Sequence, residues 1–408
     1  MSEIKTLIEL FDACQIENVI AGLRFMPQKI VFVGFKEVMT KKRISDLERF
    51  FELRGLDILL EYEIVGRYDY AFIYNKLNDI IDKNEDCCLD LTGGKELVLT
   101  AMGAVSAIRN VPMLQFNVRT GNLIRVSHCD DIIETEKSTM TINESVVLNG
   151  GSIVYDDKND FKWELTPEFQ RDIETIWEIC KKNCGLWNRQ SNVFDNLEKF
   201  GRIDHDYKVS VNLKHMKEEK QDILLNARIM NELIKNNLIT DYMLEEDMLS
   251  FRYKNNQIRH CITKAGNILE LYVYKTAREI AAEDPSYYDD IDIGIFVDWD
   301  GIIHHDTTVE RDTRNEIDVI LMRDLIPIFI SCKNGEVHKE ALYELSTVAD
   351  KFGGEYAKKI LLTTYVSSDA ESKKYILQRA RDMKIDVIEG VDKMNKEEFL
   401  STLRKRAK

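Results

Sequence analysis

The chain has 408 residues, 44% of them hydrophobic and 31% charged, with a formal net charge of −15. That length exceeds one ordinary core and implies two or three domains, while the balance of residue types suits soluble globular protein and excludes extended disorder. The acidic surplus excludes indiscriminate nucleic-acid binding by the whole surface but leaves room for a local basic groove. No apolar run approaches the roughly 20 residues that span a bilayer. Acids interrupt the opening "MSEIKTLIELFD", so neither a signal peptide nor a membrane partner is expected. The eight cysteines are scattered and form no CxxC pair, which argues against a zinc ribbon and for a reducing cytoplasm.

Along residues 1–150 the hydrophobic period alternates. "KIVFVGF" (29–35) reads as a buried strand, "RISDLERFFELRG" (43–55) as a helix, "DILLEYEIV" (57–65) as a strand and "YDYAFIYNKLNDIIDK" (68–83) as a helix. "CCLDLTGG" (87–94) is a strand running into a tight turn, followed by a helix over 95–110 and a strand pair over 112–126. Such alternation predicts an α/β, doubly wound parallel sheet. Residues 151–262 form a second unit with helical periodicity, "TPEFQRDIETIWEICKKN" and then "MKEEKQDILLNARIMNELIKNNLI". Two short strands, "DMLSFRY" and "QIRHCIT", close that unit, and a helix pair before a hairpin suggests a winged helix or a plain helical spacer. Residues 263–408 open with a helix over 265–283, then strands over 292–299, 315–322 and 326–333, a helix over 337–353 and a strand over 358–365. That order is mixed α/β.

Two constellations carry chemistry. In "DLTGGK" a strand ends at two glycines before a helix, so backbone N–H groups and a helix N-terminus lie at the carboxyl edge of the sheet, where anions bind. The Walker A and GxGxxG spacings are absent, and a simple tight turn is the plainer reading. A second strand end, "VGFKEVMT", adds Gly34, Phe35 and Lys36 to the same edge and favours a phosphate-rich ligand. In the last unit, "NEIDVILM" places Asp318 among apolar residues, where a carboxylate is costly unless paired or metal-bound. With "LMRDLIP" as the turn, the two strands are antiparallel neighbours, and Asp318 falls level with Ser331 and Lys333 of "FISCKNG". Strand alternation turns Ser331 and Lys333 to one face and Cys332 to the other. Carboxylates beside a lysine, with Glu270 from a helix, suit phosphodiester hydrolysis assisted by Mg²⁺ or Mn²⁺. The polar end of a core strand is the simpler alternative. "DWDG" (298–301) reads as a strand-end turn, "HHD" (304–306) as surface groups, and Cys180 with Cys184 as packing. Basic runs such as "KKR" (41–43) read as solvated faces, and Lys339, Lys358 and Lys359 are candidate backbone contacts for a nucleic acid.

The whole chain resembles the CRISPR-associated Rossmann-fold (CARF) nucleases of type III CRISPR systems, on "DLTGGKELVLTAMGA", "GNILELYVY", "VDWDG" and "NEIDVILM…FISCKNG". The resemblance implies a CARF sensor over 1–150, a winged-helix-like linker over 151–262 and a restriction-endonuclease-like PD-(D/E)xK domain over 263–408. It implies a homodimer that binds a cyclic oligoadenylate, usually cyclic tetra-adenylate, and then cleaves DNA, RNA or both. Thr92, Gly93, Gly94 and Lys95 match the ligand pocket, with Gly34, Phe35 and Lys36 beside them. Asp318 matches the metal aspartate, Lys333 the lysine and Glu270 the helix acid. Ser331 stands where the family carries an acid, and a hydroxyl is a poor ligand for a hard cation. The backbone carbonyl of Cys332, Glu270 and Glu316 are therefore expected to complete the site, with Asp298 and Glu336 as further candidates. A ligand-sensing transcriptional regulator and a ring nuclease that degrades the cyclic ligand are the rival readings.

Overall fold

A computed structural model describes residues 4–128, 137–154, 161–304 and 313–408, and within them the chain builds three sheets. The first holds β1 (Thr6–Leu10), β2 (Lys29–Gly34), β3 (Leu59–Ile64), β4 (Cys87–Asp90), β5 (Met113–Asn117) and β6 (Asn122–Ser127), in the order β3-β2-β1-β4-β5-β6. Strands β1 to β5 are parallel and β6 returns antiparallel to β5, as the alternating periodicity predicts. Sequence reading missed the central strand: "TLIEL" is buried at every position, although its Glu9 breaks the apolar pattern. Alternate residues of β1 and β2 divide between two cores, Leu7 and Phe32 on one face, Ile8 and Val31 on the other. The order of strands reverses at β1 and β4, and the "DLTGGK" turn lies at that switch point.

The chain next makes β7 (Ser152–Val154), which pairs with a strand of the last sheet, before it enters the middle unit. There β8 (Arg202–Ile203), β9 (Lys208–Asn212), β10 (Ile239–Glu245) and β11 (Met248–Tyr253) form a sheet ordered β10-β11-β9-β8. Helices Pro167–Lys181 and Cys184–Phe200 precede it. The hairpin is β10–β11, and "QIRHCIT", expected as its second strand, is the helix Asn256–Thr263. Capping explains the difference. The Asn255 side chain accepts from Ile258 N at 2.9 Å, and Ile258, Cys261 and Ile262 then fall on one buried helical face. The long helix expected over "MKEEKQDILLNARIMNELIKNNLI" is likewise two helices, Leu213–Glu218 and Ala227–Lys235, the second capped by Asn226.

The last sheet holds β12 (Asp290–Asp298), β13 (Arg314–Arg323), β14 (Ile326–Lys333), β15 (Lys358–Thr363) and β16 (Ile385–Glu389), in the order β16-β15-β14-β13-β12-β7. From β7 to β14 neighbours are antiparallel, and from β14 to β16 they are parallel. Helix Asn267–Glu283 packs on the face formed by Val319, Leu321, Ile328 and Ile330. Helix Lys339–Gly353 packs on the opposite face, over Ile320, Met322 and Phe329. Polar contacts tie this unit to the first sheet's unit: Lys42 Nζ donates to Asp300 O at 3.0 Å, and Tyr356 Oη donates to Glu17 Oε1 at 2.6 Å. No helix among the described residues is long and apolar enough to cross a membrane.

Removing the cap that decides the fate of "QIRHCIT" should be measurable. Asn255→Ala is expected to cost about 1 kcal/mol, lowering the melting temperature by a few degrees in differential scanning calorimetry. An unchanged melting temperature would show that the cap does not hold this helix.

Candidate active site

The two-residue turn Asp324-Leu325 sets the register of β13 and β14, which pair from Arg323↔Ile326 to Val319↔Ile330 and no further. Continued by one step, the register places Asp318 level with Ser331. There the side chain takes over from the ladder. Asp318 Oδ2 accepts from the backbone N–H of Cys332 at 2.7 Å and from Ser331 Oγ at 3.1 Å. Lys333 Nζ stands 3.6 Å from the same oxygen. On its other side β13 runs beside β12, with Ile293↔Val319 and Ile295↔Ile317 paired, so Gly294 is the residue across from Asp318. Gly294 has φ +62 and nothing within 4 Å of where a Cβ would stand, so the sheet is open beside Asp318.

Three acids meet at this opening. Glu316, two residues before Asp318, shares with it, Ser331, Lys333 and Glu344 a cavity of about 180 Å³. Glu270 comes from helix Asn267–Glu283, and its carboxylate lies 2.8 Å from the point a Cβ on Gly266 would occupy. The glycine of "GNILE" therefore makes room for the acid. Burial, then the charges of Asp318 and Glu316, push Glu270 up to about 8 against partial relief from Lys333 and Lys264. Partial burial and Asp318 push Glu316 up as well. Burial works against the charge on Lys333, but Asp318, Cys332, Glu344 and Glu270 outweigh it and hold the ammonium above its ordinary pKa. The site is thus an acid cluster only partly neutralised by Lys333 and Lys264.

Asp318, Ser331, Lys333 and Glu316 share one cavity as strand alternation implies, and helix Asn267–Glu283 brings Glu270 beside them. Ser331 donates its hydroxyl proton to Asp318, so it orients the aspartate. The backbone of Cys332 meets Asp318 through its N–H. Glu344 and Lys264 were missed, because a charged residue on an amphipathic helix or before its first turn looks like any solvated group. Asp298 and Glu336 lie elsewhere. Asp298 Oδ2 accepts from the N–H groups of Asp300 and Gly301, which makes "DWDG" a turn, and Glu336 accepts from Ser367. His304 faces Asp300 at 3.4 Å, while His305 and Asp306 lie outside the described residues. Lys359 is buried on Ser346 and Asp350, so it offers nothing to a nucleic-acid backbone. Cys180 is buried and accepts from the Asn334 amide, next to Lys333.

Could the acids hold a cation? No three His, Cys, Asp or Glu side chains among the described residues converge into a ready-made cage. Mg²⁺ and Mn²⁺ do not need one, since one or two carboxylates with waters and substrate phosphate suffice. All three contacts to Asp318 engage Oδ2, so Oδ1 and the Glu270 carboxylate suit such an ion.

At the switch-point edge of the first sheet, Thr92 is built into its turn: its N–H and hydroxyl both donate to Asp90 Oδ1, and its oxygen accepts from Phe116 N. Asp90 is buried beside Glu9, its partner in the β1–β4 register, and burial raises both, Asp90 to about 6. Gly93 packs against Asp12 and Glu17, 3.0 Å from Glu17 Oε2 to a would-be Cβ, and Gly94 takes φ +148. Lys95 is exposed at the N-cap of helix Glu96–Arg109 and makes no side-chain cap bond, which leaves first-turn N–H groups for a ligand. The second strand end is different. Gly34 is hemmed in by Met39 and Phe11, and Phe35 is buried in the core beneath Arg67, so of that trio only Lys36 reaches the surface.

Residues 255–406, which include Asp318 and Lys333, match the family model described as the Card1-like endonuclease domain. The chain as a whole has the mixed α/β fold of the CARF nucleases that its sequence resembles. The crystal structure of protein VC1899 from Vibrio cholerae matches over 98% of both chains at 16% identity, with a TM-score of 0.75. The structure of Can2 from Sulfobacillus thermosulfidooxidans, in complex with cyclic tetra-adenylate, matches over 98% of both chains at 17% identity and a TM-score of 0.68. At those identities the likeness is one of fold. A search of curated proteins gives no match.

The raised Glu270 carboxyl makes stability depend on pH. Held at about 8 instead of its ordinary 4.5, Glu270 contributes stability that is complete below pH 4.5 and lost as pH rises through 8. Without divalent cations, Glu270→Gln should therefore gain melting temperature over wild type between pH 5 and pH 9, by about 2–4 °C per kcal/mol recovered. Parallel wild-type and variant curves would place Glu270 in an ordinary environment.

Proposed function

We propose that the chain is a cyclic-oligoadenylate-activated, metal-dependent nuclease that works as a homodimer and cleaves DNA, RNA or both in type III CRISPR defence. The observation that carries this reading is Asp318, held by Ser331 and Cys332 N, with Lys333 3.6 Å away and Glu270 beside it in an endonuclease domain. Asp318 and Glu270, with the Cys332 carbonyl and Glu316 as further oxygens, hold Mg²⁺ or Mn²⁺. A bound divalent ion lowers the pKa of a water and neutralises charge on the scissile phosphate. Ser331 keeps Asp318 in one orientation. Lys333, a permanent cation at the strand end, binds a phosphate oxygen and stabilises charge as the phosphodiester opens.

The activator reading rests on the switch-point edge. Gly93 and Gly94 allow close backbone approach, and Lys95 with the helix N-terminus supplies positive charge for phosphates. Lys36 is the second cation, and Thr92 shapes the loop. Cyclic tetra-adenylate, the ligand held by the Can2 neighbour, is the activator favoured by this fold, and a two-fold ligand suits a two-fold cleft between copies. Its effect reaches the nuclease unit through Glu17, which lies against Gly93 and accepts from Tyr356 in the loop between helix Lys339–Gly353 and β15. Ligand binding shifts the population toward a competent arrangement by as much as it prefers that state.

Labelled single- and double-stranded DNA and RNA, incubated with and without cyclic tetra-adenylate in Mn²⁺, Mg²⁺ or EDTA, test the reading directly. Cleavage is expected only with activator and metal together. Asp318→Ala should abolish it while leaving cyclic tetra-adenylate affinity unchanged, and undiminished cleavage by that variant would sink the site. Tyr356→Phe, which deletes only the hydroxyl bonded to Glu17, should bind the activator normally and yet give a several-fold smaller activation. Equal activation in wild type and variant would rule out this contact as the link.

A further inference from the structure

The strand that carries Lys333 is held at its end by the middle unit. Pairing of β14 with β13 stops at Ile330, so beyond that point only β15 flanks the strand, as far as Lys333↔Thr363. Cys332 points away from Ser331 and Lys333 and belongs to an apolar cluster that also holds Ile176, Trp177 and Val193 of the middle unit. Just past the strand, Asn334 is 7% exposed and Gly335 takes φ +138, a backbone shape that residues with a side chain rarely adopt. A strand end flanked on one side and followed by glycine needs a further anchor to stay in place. Asn188, on helix Cys184–Phe200, supplies it. Its Nδ2 donates to the backbone carbonyl of Asn334 at 2.5 Å, and its Oδ1 accepts from Asn334 Nδ2 at 3.2 Å. Asn334 Nδ2 also donates to Cys180 Sγ at 3.3 Å, buried near the end of helix Pro167–Lys181. Both helices that open the middle unit thus grip the residue next to Lys333.

We infer that Asn188 is a positioning residue for Lys333, and that the middle unit is part of the catalytic scaffold and not a spacer. This role rests on the nuclease reading and gives the middle unit a place in it. Lys333 Nζ stands 3.6 Å from Asp318 at the end of a flexible stem, so its reach is decided by where its backbone sits. Asn188 fixes the carbonyl one residue away. Without the clamp the ammonium charge stays in the site and still attracts the substrate phosphate. What goes is the alignment that favours the transition state over the bound substrate. An amide that only satisfied a buried polar group would affect stability alone.

Full-length protein with cyclic tetra-adenylate and Mn²⁺ tests the clamp. At saturating oligonucleotide, Asn188→Ala should cleave roughly tenfold to a hundredfold more slowly than wild type, with KM unchanged. Asn255→Ala, which loosens the middle unit elsewhere, should keep the wild-type rate although it melts a few degrees lower. Added to Lys333→Ala, Asn188→Ala should slow the residual rate no further, because the clamp acts through that ammonium. Hydrogen exchange followed by mass spectrometry, in EDTA, gives a readout that needs no cleavage. The segment 331–335 should exchange several-fold faster in Asn188→Ala, while helix Asn267–Glu283 should not change. A wild-type rate in Asn188→Ala, a loss that multiplies with that of Lys333→Ala, or unchanged exchange over 331–335 would overturn the positioning role. If wild type cleaves no strand in Mn²⁺ or Mg²⁺, the nuclease reading falls by itself. Faster exchange at 331–335 in the variant then still upholds the grip of Asn188 on the strand end, and unchanged exchange refutes it.

Discussion

Everything at the candidate site of the last sheet depends on the place where β13 and β14 stop pairing. After Val319↔Ile330 the backbone ladder gives way to a side chain, and the Asp318 carboxylate takes the Cys332 N–H. A buried N–H must find an acceptor, so the bond both satisfies the backbone and fixes the carboxylate. The strand end is free to carry Lys333 because the strands have begun to separate. Ser331 fills the remaining place on the same oxygen. An acid at that position would set a second negative charge against Asp318. The serine supplies a donor instead, and the extra carboxylates come from Glu316 and from Glu270 on a helix.

The crowding of acids has an electrostatic cost that the apo protein meets by keeping Glu270 protonated, with a pKa of about 8. The arrangement is inefficient for folding and suited to cations and phosphates, which is the pattern expected where function opposes stability. Gly266 and Gly294 serve the same end by absence. One leaves room for the Glu270 carboxylate, and the other leaves the sheet open beside Asp318. Neither glycine would be selected by packing alone.

The two α/β units share one apolar cluster, which runs from Leu7 and Phe32 through Met140 and Val146 to Ile317 and Phe329, and polar contacts line the same boundary. Lys42 reaches the turn at Asp300, Arg49 reaches Ser152, and Tyr356 reaches Glu17. The "KKR" run, read as a solvated face, thus supplies a bridging lysine. β7 adds a strand from the start of the middle segment to the last sheet, so the three sheets are interlocked in sequence. The polar contacts can be exchanged for water at small cost, whereas the shared apolar cluster holds the two units together.

Local pattern determined the doubly wound first unit, because a parallel sheet buries both faces and its strands read as apolar runs between helices. It also determined the meeting of Asp318, Ser331 and Lys333, because a two-residue turn between antiparallel strands fixes register by counting. Where a short apolar segment had no such constraint, pattern failed. "TLIEL" was passed over because of its glutamate, and "QIRHCIT" became a helix through one asparagine cap. Tertiary structure alone decided that Glu344 and Lys264 border the site and that Phe35 faces the core and not the ligand edge. Those groupings join residues far apart in the chain, and only the packing of one element on another brings their side chains within reach of each other.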